Sequence, residues 1–186
     1  MKKRRKLYLI ILGTVLVTLT IVAVNYFYHS GKDYPVVVKR DQRSDNNLDD
    51  VNRFLVEKDN ERIRSFVERR GWQMRKTGSG LWYQIISDKT GKKINEGDKV
   101  KIDYEIRLLD GTLCYTSDST GLKKFVVGRQ ETMVGLQEGI KLLSDGDKAR
   151  FIIPPHLGYG LIGDEKRIPA RAILVYTLEV KDVKSK

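Results

Sequence analysis

Cysteine and histidine are scarce in this 186-residue sequence, which contains one cysteine and two histidines. The single cysteine, Cys114, excludes an intramolecular disulfide and a zinc site built from cysteines. His156 follows Pro154 and Pro155 without a nucleophile motif nearby, so a histidine-dependent hydrolase is not indicated. We therefore expect neither nucleophilic catalysis nor a metal site, and no cofactor.

The positive charge is distributed unevenly along the chain. Lysine and arginine outnumber aspartate and glutamate by 35 to 24, and five consecutive basic residues occupy positions 2–6. In the rest of the sequence the two signs intermingle. A nucleic-acid-binding protein would carry a basic stripe with interleaved aromatic residues, or a known motif. The sequence has neither, so nucleic acid is not expected as a partner.

Residues 7–28 contain no charged side chain and are rich in leucine, isoleucine and valine. As a helix rising about 1.5 Å per residue, this stretch would cross a hydrocarbon core of roughly 30 Å. Aromatic rings lie near both ends, at Tyr8 and at positions 26–28, where membrane helices favour them. We expect a transmembrane signal anchor that leaves residues 1–6 in the cytoplasm, because basic residues flank the cytoplasmic side.

A cleaved signal peptide is the competing interpretation, since the basic start also fits an n-region. However, the apolar run is longer than a usual h-region, and no small-x-small cleavage site follows it. No cysteine in this segment could be lipidated. We favour the uncleaved anchor, with the chain from about Ser30 onward on the far side of the membrane.

Two polar segments follow the apolar run. Residues 29–47 contain one proline and several aspartate, asparagine and serine residues, and are interpreted as a linker. Over residues 48–71 apolar side chains recur every three or four positions up to Gly71, which predicts a charged spacer helix. The apolar stripe breaks at Lys58 and Asp59. Docking of one helix end on the next domain is the plainer interpretation; partner binding or dimerisation is the alternative.

Residues 72–186 show the pattern of an α+β domain. Between 100 and 108, apolar and charged residues alternate, and this period of two predicts a strand with one buried face. Between Met133 and Leu143 the period changes to three and four, which predicts a short helix. Further strands are predicted at 81–86, 112–117, 125–127, 149–153 and 172–183. An antiparallel sheet wrapped around one short helix accounts for these elements.

Four short motifs occur in a fixed order between about residues 80 and 183. They are Val100-Lys-Ile-Asp-Tyr104 leading to Leu109-Asp-Gly111, Phe125-Val-Val-Gly128 followed by Gly135-Leu-Gln-Glu-Gly139, Leu142-Leu-Ser-Asp-Gly-Asp147, and Pro155-His-Leu-Gly-Tyr-Gly160 leading to Ile168-Pro169. The ordered set resembles the FKBP family of peptidyl-prolyl cis-trans isomerases. The anchored arrangement and the run Gly163-Asp-Glu-Lys-Arg-Ile168 are also similar to the gliding-motility-associated isomerases of Bacteroidetes.

The resemblance implies a half-wrapped antiparallel sheet with a hydrophobic cleft that binds proline-containing polypeptides. It gives catalytic roles to Tyr104, to the hydroxyl of Tyr159 and to the backbone N–H of Met133, the last two as donors to the rotating carbonyl. The proline ring would pack on Leu136. The other implied substrate-binding residues are Cys114, Tyr115, Phe125, Thr132, Ile168 and Tyr176. The resemblance implies no metal at this site.

The sequence also departs from the family pattern. Cys114-Tyr115 stands where relatives carry Phe-Asp, and Lys123 replaces an aromatic residue near the helix. A cleft without the usual acid is expected to be a weaker catalyst. We therefore expect a membrane-anchored isomerase that assists the folding of extracytoplasmic proteins, with its FKBP-like domain in the periplasm and its anchor in a bacterial inner membrane.

Two alternatives remain open from the sequence. The first is a catalytically weak binding or chaperone module for proline-containing partner segments, which the Cys114-Tyr115 replacement favours. The second is a structural assembly component that is recruited through the helix over residues 48–70.

Overall fold

The computed structural model describes residue 14, residues 16–26 and residues 42–186. The chain divides into two compact units, Met1–Asp45 and Asn46–Lys186. In the first unit, residues 16–26 form helix α1. Within the described ranges, no helix is both long enough and apolar enough to cross a membrane. Residues 7–13, 15, 27 and 28 of the predicted anchor lie outside the described residues, and so do residues 29–41 of the predicted linker.

Helix α2 spans Gln42–Arg69, so it begins earlier than the predicted boundary at Leu48. The interpretation of positions 42–47 as linker was therefore wrong. Serine, aspartate and asparagine favour turns, but each disfavours a helix interior by only about 0.7 kcal/mol or less relative to alanine, and a long helix absorbs that cost. The predicted stop is confirmed, because Gly71 has φ +64° and its N–H donates to the Glu68 carbonyl at 3.1 Å.

The C-terminal half of α2 packs on the domain. Ile63, Phe66 and Val67 are buried in one cluster with apolar residues of the following strands. Burial of each such side chain contributes about 1.5–3 kcal/mol to stability. At the break in the stripe, Asp59 is buried and accepts a hydrogen bond from Arg171 Nη2 at 2.7 Å. The break is therefore an ion pair that fixes the helix to the domain.

Seven antiparallel strands form the sheet, in the order β1-β2-β6-β7-β3-β4, with β5 also paired to β3. Three short helical elements interrupt the strands: α3 (Ser117–Thr120), α4 (Val134–Ile140) and a 3-10 turn (Pro155–Leu157). The expected α+β class with an antiparallel sheet is confirmed. The strands are β1 (Arg75–Lys76), β2 (Trp82–Ser87), β3 (Lys99–Leu108), β4 (Leu113–Thr116), β5 (Lys123–Val126), β6 (Lys148–Ile153) and β7 (Leu174–Lys184).

Strand β3 confirms the period-two prediction on its apolar side. Val100, Ile102 and Ile106 are buried in the main core, on the face that α4 covers. The opposite face is less open than predicted: Glu105 and Arg107 are half-buried beside the end of α2. The sheet is therefore covered on both faces in this region, which a strand pattern alone does not reveal.

Two glycines let α4 approach the sheet closely. A Cβ atom at Gly139 would lie 2.7 Å from the Phe151 ring, and one at Gly135 would lie 2.7 Å from Cγ2 of Ile153. Both distances are shorter than a carbon contact allows, so larger side chains would push the helix away from β6. The close approach buries Leu136 and Ile140 completely.

Candidate functional site

To the base of the predicted cleft we assign a stacked pair of tyrosines that belong to the same core cluster as Leu136 and Ile140 of α4. The rings of Tyr104 on β3 and Tyr176 on β7 lie 5.6 Å apart at an interplanar angle of 22°. Tyr176 has no exposed surface, and within the described part of the chain its hydroxyl has no hydrogen-bond partner. Burial, together with Tyr104 and Tyr159, raises the pKa of Tyr176 well above its usual value. The base of the cleft is therefore a dry environment for polar groups.

The Tyr104 ring is half-buried and its hydroxyl remains at the surface. The hydroxyl lies 2.8 Å from Oγ1 of Thr120, which belongs to the short helix α3. The Tyr104 backbone N–H donates to Oγ of Ser117 at 3.1 Å. Helix α3, which the sequence analysis did not predict, thus positions this tyrosine.

Tyr159 lies in the loop after β6, between Gly158 and Gly160. The loop is held by backbone hydrogen bonds from Gly160 N–H to the Pro155 carbonyl at 2.9 Å and from Arg171 N–H to the Gly160 carbonyl at 3.0 Å. Tyr159 is 36% exposed, and among the described residues its hydroxyl has no hydrogen-bond partner. Burial raises the pKa of Tyr159, and the nearby Asp164 adds to the effect, so this hydroxyl stays protonated at neutral pH. It is available as a donor.

A carboxylate that the sequence analysis did not identify lies beside this tyrosine. The Tyr115 hydroxyl donates to Oδ2 of Asp164, while Oδ1 of Asp164 accepts the backbone N–H groups of residues 166–168 at 2.7 to 3.0 Å. Burial alone would raise the pKa of Asp164, but the Tyr115 bond and these N–H donors lower it to about 2. The same hydrogen bond raises the pKa of Tyr115 to about 12. The pair is an ionised acid and a neutral phenol.

Strand β4 and the loop after Tyr159 are clamped together by further contacts. Arg167 donates from Nη1 to the Cys114 carbonyl at 3.0 Å, and its guanidinium carbon lies 5.4 Å from the Tyr115 ring centroid. The Cys114 thiol is fully buried and lies 3.5 Å from the Arg167 carbonyl. Burial raises the pKa of this thiol, so Cys114 contributes packing and no thiolate.

Met133 immediately precedes α4 and presents a backbone donor. Its carbonyl accepts the N–H groups of Leu136 and Gln137, both at 3.1 Å, and this fixes the first turn. In the part of the chain that the structure describes, no acceptor is bonded to the Met133 N–H. Met133 and Thr132 are half-buried, so both retain some exposed surface.

The predicted site residues separate into two layers. Tyr104, Thr132, Met133, Tyr115 and Tyr159 retain exposed or half-buried surface. The other five have at most 4% exposure and form a buried layer beneath them: Cys114, Phe125, Leu136, Ile168 and Tyr176.

Leu136 is fully buried. The resemblance implies that the proline ring of a substrate packs directly on this side chain, which has no exposed surface in the structure. Direct contact would require its neighbours to move. The physical reason is the close approach of α4 to β6, which the glycines Gly135 and Gly139 permit.

Lys123, which replaces an aromatic residue of the family pattern, lies opposite Ile102 at the start of β5. It is two residues from the buried Phe125 and therefore on the same face of the strand. The side chain is half-buried, and burial lowers the pKa of its ammonium group. Among the described residues it has no ion-pair partner, so this face of the site carries a cation.

Asp164 could have been found from the sequence as a turn-forming residue. Aspartate commonly accepts hydrogen bonds from backbone N–H groups two or more residues further on, and here Lys166, Arg167 and Ile168 donate to it. Its pairing with Tyr115 depends on the fold and has no local signal. Within residues 14, 16–26 and 42–186, no group of three histidine, cysteine or carboxylate side chains is arranged to hold a metal ion.

Comparison with known proteins identifies the family. The sequence model of the FKBP-type peptidyl-prolyl cis-trans isomerases matches residues 90–181. FK506-binding protein 2 of Yarrowia lipolytica is 31% identical over 105 residues, which cover 56% of this chain and 73% of the relative. The chain belongs to the FKBP-type peptidyl-prolyl cis-trans isomerase family.

Other relatives and a solved structure agree with this FKBP assignment. The FKBP-type isomerase FkpA of Buchnera aphidicola is 34% identical over 130 residues, 66% of this chain but 48% of that protein. A probable FKBP-type isomerase of Haemophilus influenzae is 29% identical over 164 residues, 81% of this chain and 68% of that protein. The crystal structure of AtFKBP13 superposes with a TM-score of 0.58 at 25% identity, covering 61% of this chain and 99% of that one. The matched segment thus spans about half of the Buchnera relative.

Proposed function

We propose that this chain is a membrane-anchored peptidyl-prolyl cis-trans isomerase that assists the folding of extracytoplasmic polypeptides. Family membership supports the reaction class. The observation that carries the proposal is the protonated hydroxyl of Tyr159, which has no hydrogen-bond partner among the described residues and lies near the stacked rings of Tyr104 and Tyr176. A site that acts on a peptide carbonyl needs such a donor and a dry surface, and it needs no nucleophile.

The chemistry of the reaction fits this set of residues. Rotation about an Xaa-Pro bond must break amide resonance, and the barrier in water is roughly 18–20 kcal/mol. The planar amide has more charge separation than the twisted amide, so transfer from water into a dry cleft destabilises the planar form more. No bond is made or broken, and no proton is transferred. The buried layer beneath Tyr104 provides the dry surface.

Hydrogen-bond donors would add selectivity for the twisted state. As the carbonyl rotates, its oxygen moves relative to the cleft, and only donors aimed at the rotated position lower the barrier. The Tyr159 hydroxyl and the Met133 N–H are the two candidates, since the described structure leaves both without acceptors. A net contribution of about 0.5–1.5 kcal/mol for one hydrogen bond corresponds to about a 2- to 12-fold effect on the rate.

The proposed location rests on the sequence. The basic residues 2–6 followed by the uncharged residues 7–28 support a single-pass anchor with a cytoplasmic N-terminus. The isomerase domain would then lie in the periplasm, and the anchor in a bacterial inner membrane. Placement among the gliding-motility-associated isomerases of Bacteroidetes is part of the proposal and is supported by the run Gly163-Asp-Glu-Lys-Arg-Ile168.

A protease-free isomerisation assay tests the reaction. The 186-residue chain, kept in a nonionic detergent, is added to a proline peptide whose cis and trans forms are followed by NMR exchange. We expect exchange faster than the spontaneous rate and proportional to protein concentration. Exchange at the spontaneous rate, in a sample where a control isomerase is active, would remove the proposal.

A binding module for proline-containing segments is the second candidate. The Cys114-Tyr115 replacement favours it, because the resemblance implies an acid at position 115 and the Tyr115 hydroxyl that stands there is engaged with Asp164. In this case a proline peptide would bind saturably while the exchange rate stayed at its spontaneous value. A rate that rises with protein concentration would exclude it.

A further inference from the structure

A crevice of about 180 Å³ lies on the face of the sheet opposite the cleft, beside the end of α2. Its walls include the aromatic rings of Phe66 and Trp72 and three arginines, Arg70, Arg107 and Arg150. Glu105 is the acidic residue of the lining. The crevice is small and open to solvent. It could hold one small polar group with part of its hydration shell.

Two of the arginines stack on the same indole. The guanidinium carbon of Arg150 lies 3.7 Å from the Trp72 ring centroid. That of Arg70 lies 5.3 Å from the Trp72 centroid and 4.4 Å from the Phe66 centroid. Each contact has cation–π geometry. The aromatic rings therefore hold two like charges close to one small space.

The third arginine and the glutamate neutralise each other. Arg107 donates to both carboxylate oxygens of Glu105, from Nε at 2.6 Å and from Nη2 at 2.8 Å, and its Nη1 donates to the Gly111 carbonyl at 3.0 Å. This bonding lowers the pKa of Glu105. Glu105 would repel an incoming anion, but its charge is balanced within the pair. The net charge of the crevice comes from Arg70 and Arg150.

Arg70 and Arg150 have no such partner. Among residues 49–186, whose side chains the structure describes, neither arginine has a carboxylate within 4 Å. Arg150 donates from Nη1 to Oε1 of Gln84 at 3.3 Å, a neutral acceptor. Burial and the charge of Arg70 lower the pKa of Arg150. Two guanidinium groups are thus left with donors that an oxyanion would satisfy.

The sheet holds one side of the crevice rigidly. Arg150 lies opposite Thr177 across the β6–β7 pair, and Thr177 lies opposite Glu105 across the β7–β3 pair. These residues form one row across three strands, and Thr177 lines the crevice with its half-buried side chain. The strands fix Arg150 in place, whereas Arg70 is exposed at the end of α2, so an anion bound between them would offset their repulsion.

We propose that this crevice binds a single oxyanion group, a carboxylate or a phosphate, between Arg70 and Arg150, with Trp72 as its wall. Guanidinium groups pair with both anions through two parallel hydrogen bonds, and the partly buried setting strengthens such bonds. The anion is either the side chain of an acidic polypeptide segment or a phosphate group. The site lies on the face of the sheet opposite the cleft and does not depend on isomerase activity.

Tryptophan emission gives a direct test, since the sequence contains two tryptophans. In the 186-residue chain carrying Trp82→Phe, Trp72 is the remaining tryptophan, and its emission is followed during titration at constant ionic strength. The probes are inorganic phosphate, an acetylated glutamate-rich peptide and its glutamine counterpart, with chloride as reference. We expect a saturable change with phosphate or with the glutamate peptide, half-complete at low millimolar concentration or below. If Trp82→Phe unfolds, the NMR resonances of the indole N–H groups in the unsubstituted chain report anion binding instead.

Substitutions decide whether the crevice is responsible. Arg150→Met retains the length and the aromatic contact but removes the charge, and we expect at least fivefold weaker binding. Arg129→Met is the control, because Arg129 is an exposed loop residue paired with Glu131 and should leave binding unchanged. Tighter binding of the glutamate peptide than of phosphate identifies an acidic polypeptide as the source, and the reverse order identifies a phosphate group. A response no larger than that to chloride, or one that Arg150→Met leaves intact, overturns the proposal.

Discussion

The hydroxyl of Tyr115 on strand β4 donates a hydrogen bond to Asp164, a residue 49 positions further along the chain in the loop after Tyr159. The family pattern has an acid at position 115, and this chain has a tyrosine there. The bond therefore places a carboxylate from another loop beside position 115. It also ties the Tyr159 loop to the sheet.

This relationship predicts a pH-dependent stability. Because the folded state lowers the pKa of Asp164 to about 2, from an ordinary value of 3.8, the ionised carboxylate stabilises the fold above about pH 4. That contribution is lost as the pH falls towards 2. We expect Asp164→Asn to be less stable than the parent at pH 6, with the difference shrinking as the pH falls from 4 to 2. Urea unfolding at a series of pH values measures it.

Asp88→Asn is the matched control, since Asp88 is exposed. Its effect on the free energy of unfolding should stay within about 0.5 kcal/mol at every pH. If Asp164→Asn shows the same small effect, or an effect independent of pH, the carboxylate does not stabilise the loop as described.

A second prediction concerns restoration of the acid at position 115. Tyr115→Asp alone would place a second carboxylate beside Asp164, and like charges at this distance repel, so we expect a less stable loop and no gain in isomerisation. The double variant Tyr115→Asp with Asp164→Asn removes the repulsion. We expect it to exceed the single variant in isomerisation rate by about threefold or more, because a relief of roughly 0.7 kcal/mol has that effect. Equal rates in the two variants would show that the two positions do not interact.

The sequence predicted the parts of the fold that rest on local patterns. In β3 and in α4 the buried face carries apolar residues. Their spacing, every second residue in β3 and every third or fourth in α4, can therefore be recognised in the sequence. The predicted N-terminal boundary of α2 was wrong, because residues that favour turns also occur inside long helices. The role of Asp59 in an ion pair could not be predicted, for a different reason. Its partner, Arg171, lies 112 residues away, so a break in the stripe could not be distinguished from an anchoring ion pair.

The candidate site shows the same limit. Tyr159 was identifiable because a tyrosine between two glycines in a loop indicates an exposed hydroxyl. The role of Asp164 and the complete burial of Leu136 depend on how separate segments meet. Loss of the acid at position 115 was visible in the sequence, but the carboxylate supplied by another loop was not.

A third prediction tests the attachment of α2. Asp59→Ala leaves Arg171 without its carboxylate, and we expect a loss of about 2–3 kcal/mol in the free energy of unfolding. This loss is smaller than that expected for a fully buried ion pair, because the Arg171 side chain is partly exposed. Asp50→Ala is the control, since Asp50 is exposed and its pair with Arg53 is a surface contact. Urea unfolding of both variants gives the comparison. A loss from Asp59→Ala no larger than that from Asp50→Ala would show that the ion pair is not what fixes the helix.

The proposed anchor gives a fourth prediction. Protein extracted from membranes should have the intact mass of the full sequence, and deletion of residues 1–28 should release it from the membrane fraction. The reason is that residues 7–28 are the uncharged stretch long enough to span the hydrocarbon core. A mature protein that lacks its first 25–30 residues would contradict the anchor and support a cleaved signal peptide.

In the proposed mechanism, the Tyr159 hydroxyl donates a hydrogen bond to the substrate during proline isomerisation. The most direct measurement compares kcat/KM for a proline peptide, in the protease-free assay, between the parent chain, Tyr159→Phe and Tyr83→Phe. Tyr83 is a half-buried tyrosine on β2, and its variant controls for the loss of a hydroxyl elsewhere. We expect a loss of about 2- to 12-fold for Tyr159→Phe, which corresponds to one hydrogen bond, and no change for Tyr83→Phe. Equal kcat/KM values for the parent and Tyr159→Phe would contradict it.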